Sequence, residues 1–475
     1  MVRNVYVWKL LLCVVVSTTF FVSSPSFSSE LSCQDSLSYL DAQYQSDKAT
    51  RHAFDLVYKG LIDLPVGYSY GHSRVNPWKA AKDGEGLHRM MREMFRKWCT
   101  ALPRIEGDSD NALDPILYFA WFYYKNPAGQ AFVQGHDPAH PSRPLTTGTT
   151  FLSKWSNEYL AYMNSDESRK VVAEWVNDPR IEIDDYVKTQ ANQYKSWNEF
   201  FARNLKSDKD GNYPSRPVTM PDRDYVIVAP TDCIMNPLVQ IVKKEHRYER
   251  RFIENPLQLD TVLDVKDIPI SVNDMLGSVP EMIKKEFVGG SGLTCVLMPN
   301  TYHHFHSPVD GTVVHAEVVR TGTPGTPGTF GYSDFPNWVP LDGNVGRPGT
   351  DFSQFQAYQR GVIIIKVEYD ASLDRNKPPV RKVGYVASIP VGLDSVGSVV
   401  LNTCDSKETD HVNCFDVGGH VTKGKTKLGN FFFGGSLDIL LFSKDMIAPA
   451  VQTRMGNQIG VINTGKAPKS PWSLD

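Results

Sequence analysis

The sequence has no large excess of charge: 50 lysines and arginines stand against 53 aspartates and glutamates, a net charge of −3 over 475 residues. Phosphate binding needs concentrated positive charge, so nothing global points to nucleic acid. Internal repeats and low-complexity tails are also missing, which excludes a solenoid or a fibre. No Asn-X-Ser/Thr sequon occurs, so this route to glycosylation is closed. No cysteine spacing is that of a zinc ribbon. Beyond the first residues, no apolar run is long enough to span a bilayer.

What is present is an apolar fraction of 41%, ordinary for a globular protein, and length for two or three domains. Residues Met1 to Lys9 carry Arg3 and Lys9, an apolar run follows from Leu10 to Val22, and small residues from Ser23 to Ser29. That order is that of a secretory signal peptide over residues 1–29, and its apolar run is about half what a spanning helix needs. The mature protein is therefore expected in the secretory lumen or outside the cell, soluble or peripherally attached to a membrane. Cys13 would leave with the leader. Of the seven cysteines, those at 33, 99, 233, 295, 404 and 414 remain. Disulfides suit that compartment, and Cys404 with Cys414, separated by a short polar stretch, is the pair expected to close.

Residues 30–190 read as a helical accessory domain. Leu87, Met90, Met91, Met94, Phe95 and Trp98 make one apolar stripe at helical spacing, best explained by core packing. A second apolar stretch, Ile116 to Tyr124, precedes a Pro/Gly/His-rich segment from Asn126 to Thr149 that reads as a loop. From 191 to 475 the pattern turns to short β-rich runs: Tyr225 to Ala229, Thr294 to Met298, Thr312 to Val319, Gly361 to Glu368 and Leu437 to Phe442. Thr321 to Thr350, rich in Gly and Pro, reads as a long surface loop. The fold class expected is α+β, a β-rich domain preceded by a helical one.

Three segments carry chemistry. In Gly434-Gly435-Ser436, two glycines precede a serine that opens an apolar strand. A serine hydroxyl attacks the carbonyl before it only from strained backbone, which glycine tolerates. The ester formed breaks by β-elimination, and the dehydroalanine left behind hydrolyses to a pyruvoyl group. Alone, the tripeptide is usually a turn, and it is no hydrolase elbow, since Asp438 stands where glycine is required. The second segment, Tyr302-His303-His304-Phe305-His306, offers a general base; metal binding is the rival reading, but no nearby cysteine or acid completes a ligand spacing. A strict strand would point His303 and His306 to opposite faces, whereas a turn would bring both to one site. The third, Ala229-Pro230-Thr231-Asp232, places a carboxylate able to orient a histidine.

In their order and spacing these pieces resemble the phosphatidylserine decarboxylase family over roughly the last 280 residues. The resemblance rests on Trp197 to Arg203 with Arg216-Pro217, on Ala229 to Asp232, on Tyr302 to Gly311, on Val391 to Ser398 and on Gly429 to Phe442. It implies a pyruvoyl-dependent decarboxylase with Ser436 as nucleophile, His306 as base, Asp232 as its partner and His303 also in the site. Cleavage at Gly435–Ser436 would give a β chain to residue 435 and an α chain, 436–475, that stay associated. The pyruvoyl carbonyl derived from Ser436 would bind the substrate amine and draw electrons as the carboxylate leaves, and a histidine would then protonate the α-carbon. No metal is expected.

The chain departs from the family pattern at Leu437, where a hydroxyl residue is usual, at Leu393-Asp394, and at Tyr358-Gln359-Arg360. The helical half, with Ala120 to Asn126, looks like the extension of a fungal-type branch that includes aromatic amino acid decarboxylases. Three functions follow. The first is conversion of phosphatidylserine to phosphatidylethanolamine; the second, decarboxylation of a free, aromatic amino acid; the third, a secreted binding protein that keeps the fold but no longer cuts itself.

Overall fold

The structure, a computed structural model, describes residues 33–446 except 64–72, 106–113, 124–125, 134, 245–246, 254–255, 266–267, 321–358, 372–377, 379, 394–398, 407–412, 434 and 445. The expected leader, the loop from Thr321 to Thr350, and Tyr358 and Asp394 among the departures lie outside those residues.

The first half is helical: α1 (Gln34–Ser46), α2 (Lys48–Gly60), α3 (Gly84–Trp98), α4 (Asp114–Tyr123), α5 (Pro127–Val133), α6 (Thr147–Met163) and α7 (Val172–Val176). Asp47 caps α2 by accepting from the amides of Ala49 and Thr50, and Asp83 caps α3 through Gly86. The stripe on α3 behaves as expected, with Leu87, Met91, Phe95 and Trp98 all buried. Aromatic rings fill the space beneath it: Phe95 meets Phe119, Phe151 and Trp155 edge-on at centroid distances of 4.8–5.0 Å. A disulfide between Cys33 and Cys99, with Cα atoms 6.1 Å apart, ties the start of α1 to the end of α3. The expected loop from Asn126 to Thr149 is instead α5, a hairpin of β1 (His136–Asp137) and β2 (His140–Pro144), and the start of α6. Pro127 sits at the first position of α5, where it needs no amide partner, so a proline read as a breaker is here a helix start.

A short helix, α8 (Trp197–Phe201), leads into the strands β3 (Ile234–Pro237), β4 (Val239–Lys244), β5 (Arg247–Phe252), β6 (Val262–Val265), β7 (Ile268–Ser271), β8 (Ser291–Leu297), β9 (His304–His306) and β10 (Gly311–Arg320). They continue as β11 (Gln359–Asp370), β12 (Arg381–Leu393), β13 (Val399–Leu401), β14 (His420–Val421), β15 (Lys427–Phe431) and β16 (Gly435–Phe442). The main sheet runs β14-β10-β11-β12-β16-β8-β3, beside a small sheet β13-β15-β9 and a four-stranded one, β5-β4-β6-β7. The chain is thus α+β.

Tyr225 to Ala229 is not a strand: it lies between Pro221 and Pro230 in irregular backbone. One main-chain bond there, from Val228 N to Pro308 O, takes the place of a ladder.

The main sheet is buried on both faces. On β16, Leu437, Ile439 and Leu441 join one cluster with Val362, Ile364 and Leu257. Leu440 and Phe442 join the other, which continues into the helical half through Trp197, Phe201 and Phe95. The period of two therefore puts Ser436 and Asp438 on the face turned toward the helices.

Candidate active site

Gly435 and Ser436 open β16 in the interior of the main sheet. Ser436 lies opposite Gly392 of β12 on one side and Leu297 of β8 on the other. Strained backbone was expected at Gly435; the structure shows extended backbone paired with Leu393. Ser436 is fully buried, and its Oγ has no hydrogen-bond partner among the described residues. Leaving a buried hydroxyl unsatisfied costs about 1–3 kcal/mol, a cost native folds carry mainly where function requires it.

The histidine segment lies across β15, with Asn430 opposite His304 and Gly429 opposite Phe305. His303 stands just before β9, stacked on Phe201 at 3.7 Å, and its carbonyl accepts from Phe431 N. Phe201 in turn meets Phe433, three residues before Ser436. His303 Nδ1 donates to Thr301 O at 2.9 Å, so Nε2 is the bare nitrogen. Arg203 fixes that carbonyl, donating to Asn300 O and Thr301 O at 2.7 and 3.0 Å. His306 faces a different cage: Tyr302 OH donates to its Nε2 at 2.9 Å, and Tyr213 packs against it edge-on. His304 shares the Tyr302 ring and donates from Nε2 to Ala202 O. The strand thus separates His303 from His306, and the turn that would gather both is not formed.

All three imidazoles are neutral. Burial, helped by the Arg203 charge, holds His303 well below its ordinary value. Burial and then Lys427 do the same for His304, and push His306 down to about 3.

Asp232 is near this cage but bonded elsewhere. The turn carrying it is tied to the histidine segment by His306 N donating to Pro230 O at 2.7 Å and by Thr231 Oγ1 donating to Tyr302 O. Its carboxylate accepts from Arg216 Nε at 2.9 and 3.0 Å, and Arg216 also reaches Asp185 and Glu182. Burial opposes the Arg216 charge, but its bonds to Asp232 and Asp185 outweigh that and hold the group ionised. The expected Asp232–His306 hydrogen bond is not formed; Arg216 has taken the carboxylate. Among the described residues, no group of three or more His, Cys, Asp or Glu side chains is placed to hold a metal ion.

Sequence reasoning passed over Tyr302 as the partner of His306, and over Arg203 and Arg216 as organisers, though all three stand in the motifs quoted. It also missed Asp438, fully buried, hydrogen-bonded by Ser388 Oγ at 3.1 and 3.3 Å, its carboxyl pushed up to about 7 by burial. One link reaches from the helices to the site: Asn198 accepts from Phe433 N at 3.0 Å and donates to Asn164 of the helical half.

With this geometry in place, the comparisons give the class: the chain is a carboxy-lyase. It belongs to the phosphatidylserine decarboxylase family, whose model matches residues 197–461. The chain is 26% identical over 250 residues to the decarboxylase iboD of Amanita muscaria, covering 52% of this chain and 58% of that protein. It is 24% identical over 330 residues to the phosphatidylserine decarboxylase proenzyme of Clostridium novyi, covering 70% and 83%. The proenzyme of the same name from Fusobacterium nucleatum is 26% identical over 297 residues, 62% and 75% of the two chains.

Proposed function

We propose that this chain cuts itself between Gly435 and Ser436, and that the pyruvoyl group so formed serves the conversion of phosphatidylserine to phosphatidylethanolamine and carbon dioxide. The observation that carries the reading is the Ser436 hydroxyl, buried without a partner among the described residues and directly following a glycine at the start of a central strand. The family and the proenzyme names of the bacterial relatives support it. The surroundings suit the group: residue 436 is fully buried and its hydroxyl has no partner among the described residues, so a small uncharged cap there gives up no hydrogen bond. When present, its carbonyl supplies an electron-withdrawing anchor for the substrate amine.

The chain's own residues take the remaining roles. Ser436 Oγ attacks the Gly435 carbonyl carbon, and His306 is the base that relieves it of its proton. Tyr302, already on His306 Nε2, orders that ring, and Asp232, braced by Arg216, acts on it through the turn whose Pro230 O accepts from His306 N. His303, with Nε2 bare, takes up the proton that the substrate ammonium gives off on binding and returns it to the substrate α-carbon. The two disulfides agree with a secretory or extracellular setting, and peripheral contact with a membrane would bring a lipid substrate to the site.

The test is direct. The purified protein should run under denaturing conditions as two fragments, the shorter with a blocked N-terminus, and Ser436→Ala should leave one inactive chain. Carbon dioxide should be released from phosphatidylserine vesicles. A single uncut wild-type chain would overturn the reading in favour of a binding protein, and release only from free amino acids would move the substrate to that class.

A further inference from the structure

Among the described residues, four cysteines are bridged, as Cys33–Cys99 and Cys404–Cys414, and two are free, Cys233 and Cys295. The free pair is not scattered: Cys233 lies close enough to Cys295 to help burial push the Cys295 thiol up. The ladder explains the meeting. On β3, Met235 lies opposite Cys295 of β8, so Cys233, two residues earlier, projects to the same face one diagonal step away. Cys295 is fully buried between β3 and β16, with Asp438 directly opposite. Cys233 is partly exposed and immediately follows Asp232.

We propose that Cys233 and Cys295 are a redox-modification site that accepts a low-molecular-weight disulfide as oxidant and closes into a third bridge, clamping the Asp232 turn onto the strand beside Ser436. The accessible Cys233 loses its proton and its sulfur attacks the oxidant, whose S–S bond breaks to release one thiol. The Cys295 sulfur then displaces the second thiol from the mixed disulfide, and its proton leaves with it. Two protein thiols give up two electrons, and one small disulfide becomes two thiols.

Diagonal neighbours have Cα atoms roughly 7–8 Å apart, and a disulfide tolerates up to about 6.8 Å, so closure needs a movement of about 1 Å. Cys295 is held by strands on both sides, whereas Cys233 stands between the bend at residues 230–232 and β3. The Asp232 turn therefore moves. Continued one step, the register sets Cys233 opposite Leu297, which is itself opposite Ser436, so the bridge pins the turn within one diagonal step of the row that contains the scissile bond.

The bridge is tested on the unmodified full chain. After equilibration with oxidised glutathione, it is unfolded without reductant, alkylated with iodoacetamide and digested. A linked peptide pair containing Cys233 and Cys295 is expected, lost in Cys233→Ala. Alkylation of both thiols while the other two bridges persist would overturn the site. The clamp rests on the reading that Asp232 assists self-cleavage, and it has its own readout. In cell-free synthesis with oxidised glutathione, the fragment 436–475 should appear about fivefold faster from the native chain than from Cys233→Ala. Equal rates with the bridge demonstrated would overturn the clamp, and absence of any fragment from either chain would overturn the cleavage reading instead.

Discussion

Individual side chains divide the chemistry between two neutral imidazoles. His303 has its open nitrogen fixed by the Arg203–Thr301 contact, and His306 has Tyr302 on the nitrogen that matters. His306→Gln is expected to block chain scission on a denaturing gel. His303→Gln should still be cut, yet decarboxylate at least about 100-fold more slowly, the usual scale of a positioned proton donor. Scission of His306→Gln at the native rate would remove its assignment as base. Arg216→Ala releases Asp232 and should slow scission about tenfold, equivalent to about 1.4 kcal/mol of barrier.

Asp438 makes a separate statement about pH. Its carboxyl is pushed up to about 7, well above the ordinary aspartate range, because burial penalises the charge more than Ser388 relieves it. The fold therefore holds a proton that the unfolded chain has released. The penalty is absent below about pH 4, grows through the interval and is complete above pH 7. Asp438→Asn should stabilise the fold at pH 8 by roughly 4 kcal/mol, read as a higher melting temperature, and leave it unchanged near pH 4. Equal shifts at both values would contradict the buried-acid account.

Among the elements, α8 does more than its five residues suggest. Trp197, Phe200 and Phe201 are fully buried, Phe201 carries His303, and Asn198 joins the helical half to Phe433. Asn198→Ala should reduce scission by several-fold with little change in helical content by circular dichroism, since it removes a positioning bond worth about 1 kcal/mol. The motif from Trp197 to Arg203 was legible in the sequence, but its role was not. Strand content was read correctly where apolar residues run unbroken, as in Gly361 to Glu368, since a strand buried on both faces needs no alternation. It failed at Tyr225 to Ala229, where flanking prolines remove the ladder, and at α5, where a proline begins a helix. The Asp232–Arg216 pairing was hidden for another reason: which partner captures a carboxylate depends on three-dimensional competition that spacing does not encode. Cys404–Cys414 was legible because its loop is short, and Cys33–Cys99 was not, because 66 residues separate its ends.

Across the whole molecule, the three buried imidazoles work against acid. Each stays neutral in the fold below the pH at which a free histidine protonates, so their contribution is intact above about pH 6.5 and is lost as the pH falls. The melting temperature should therefore fall between pH 6.5 and 5, and a flat profile there would show that these rings are hydrated.

The double pairing of β16, held by β12 on one flank and β8 on the other, bears on what a break at residue 435 leaves behind. An ordinary hydrolysis would create an ammonium at a fully buried position, whose desolvation would drive the new terminus out of its groove. A terminal ketone carries no charge and asks for no solvation. Interior placement thus favours a cut that erases the amine it would otherwise expose, and the severed strand keeps its seat.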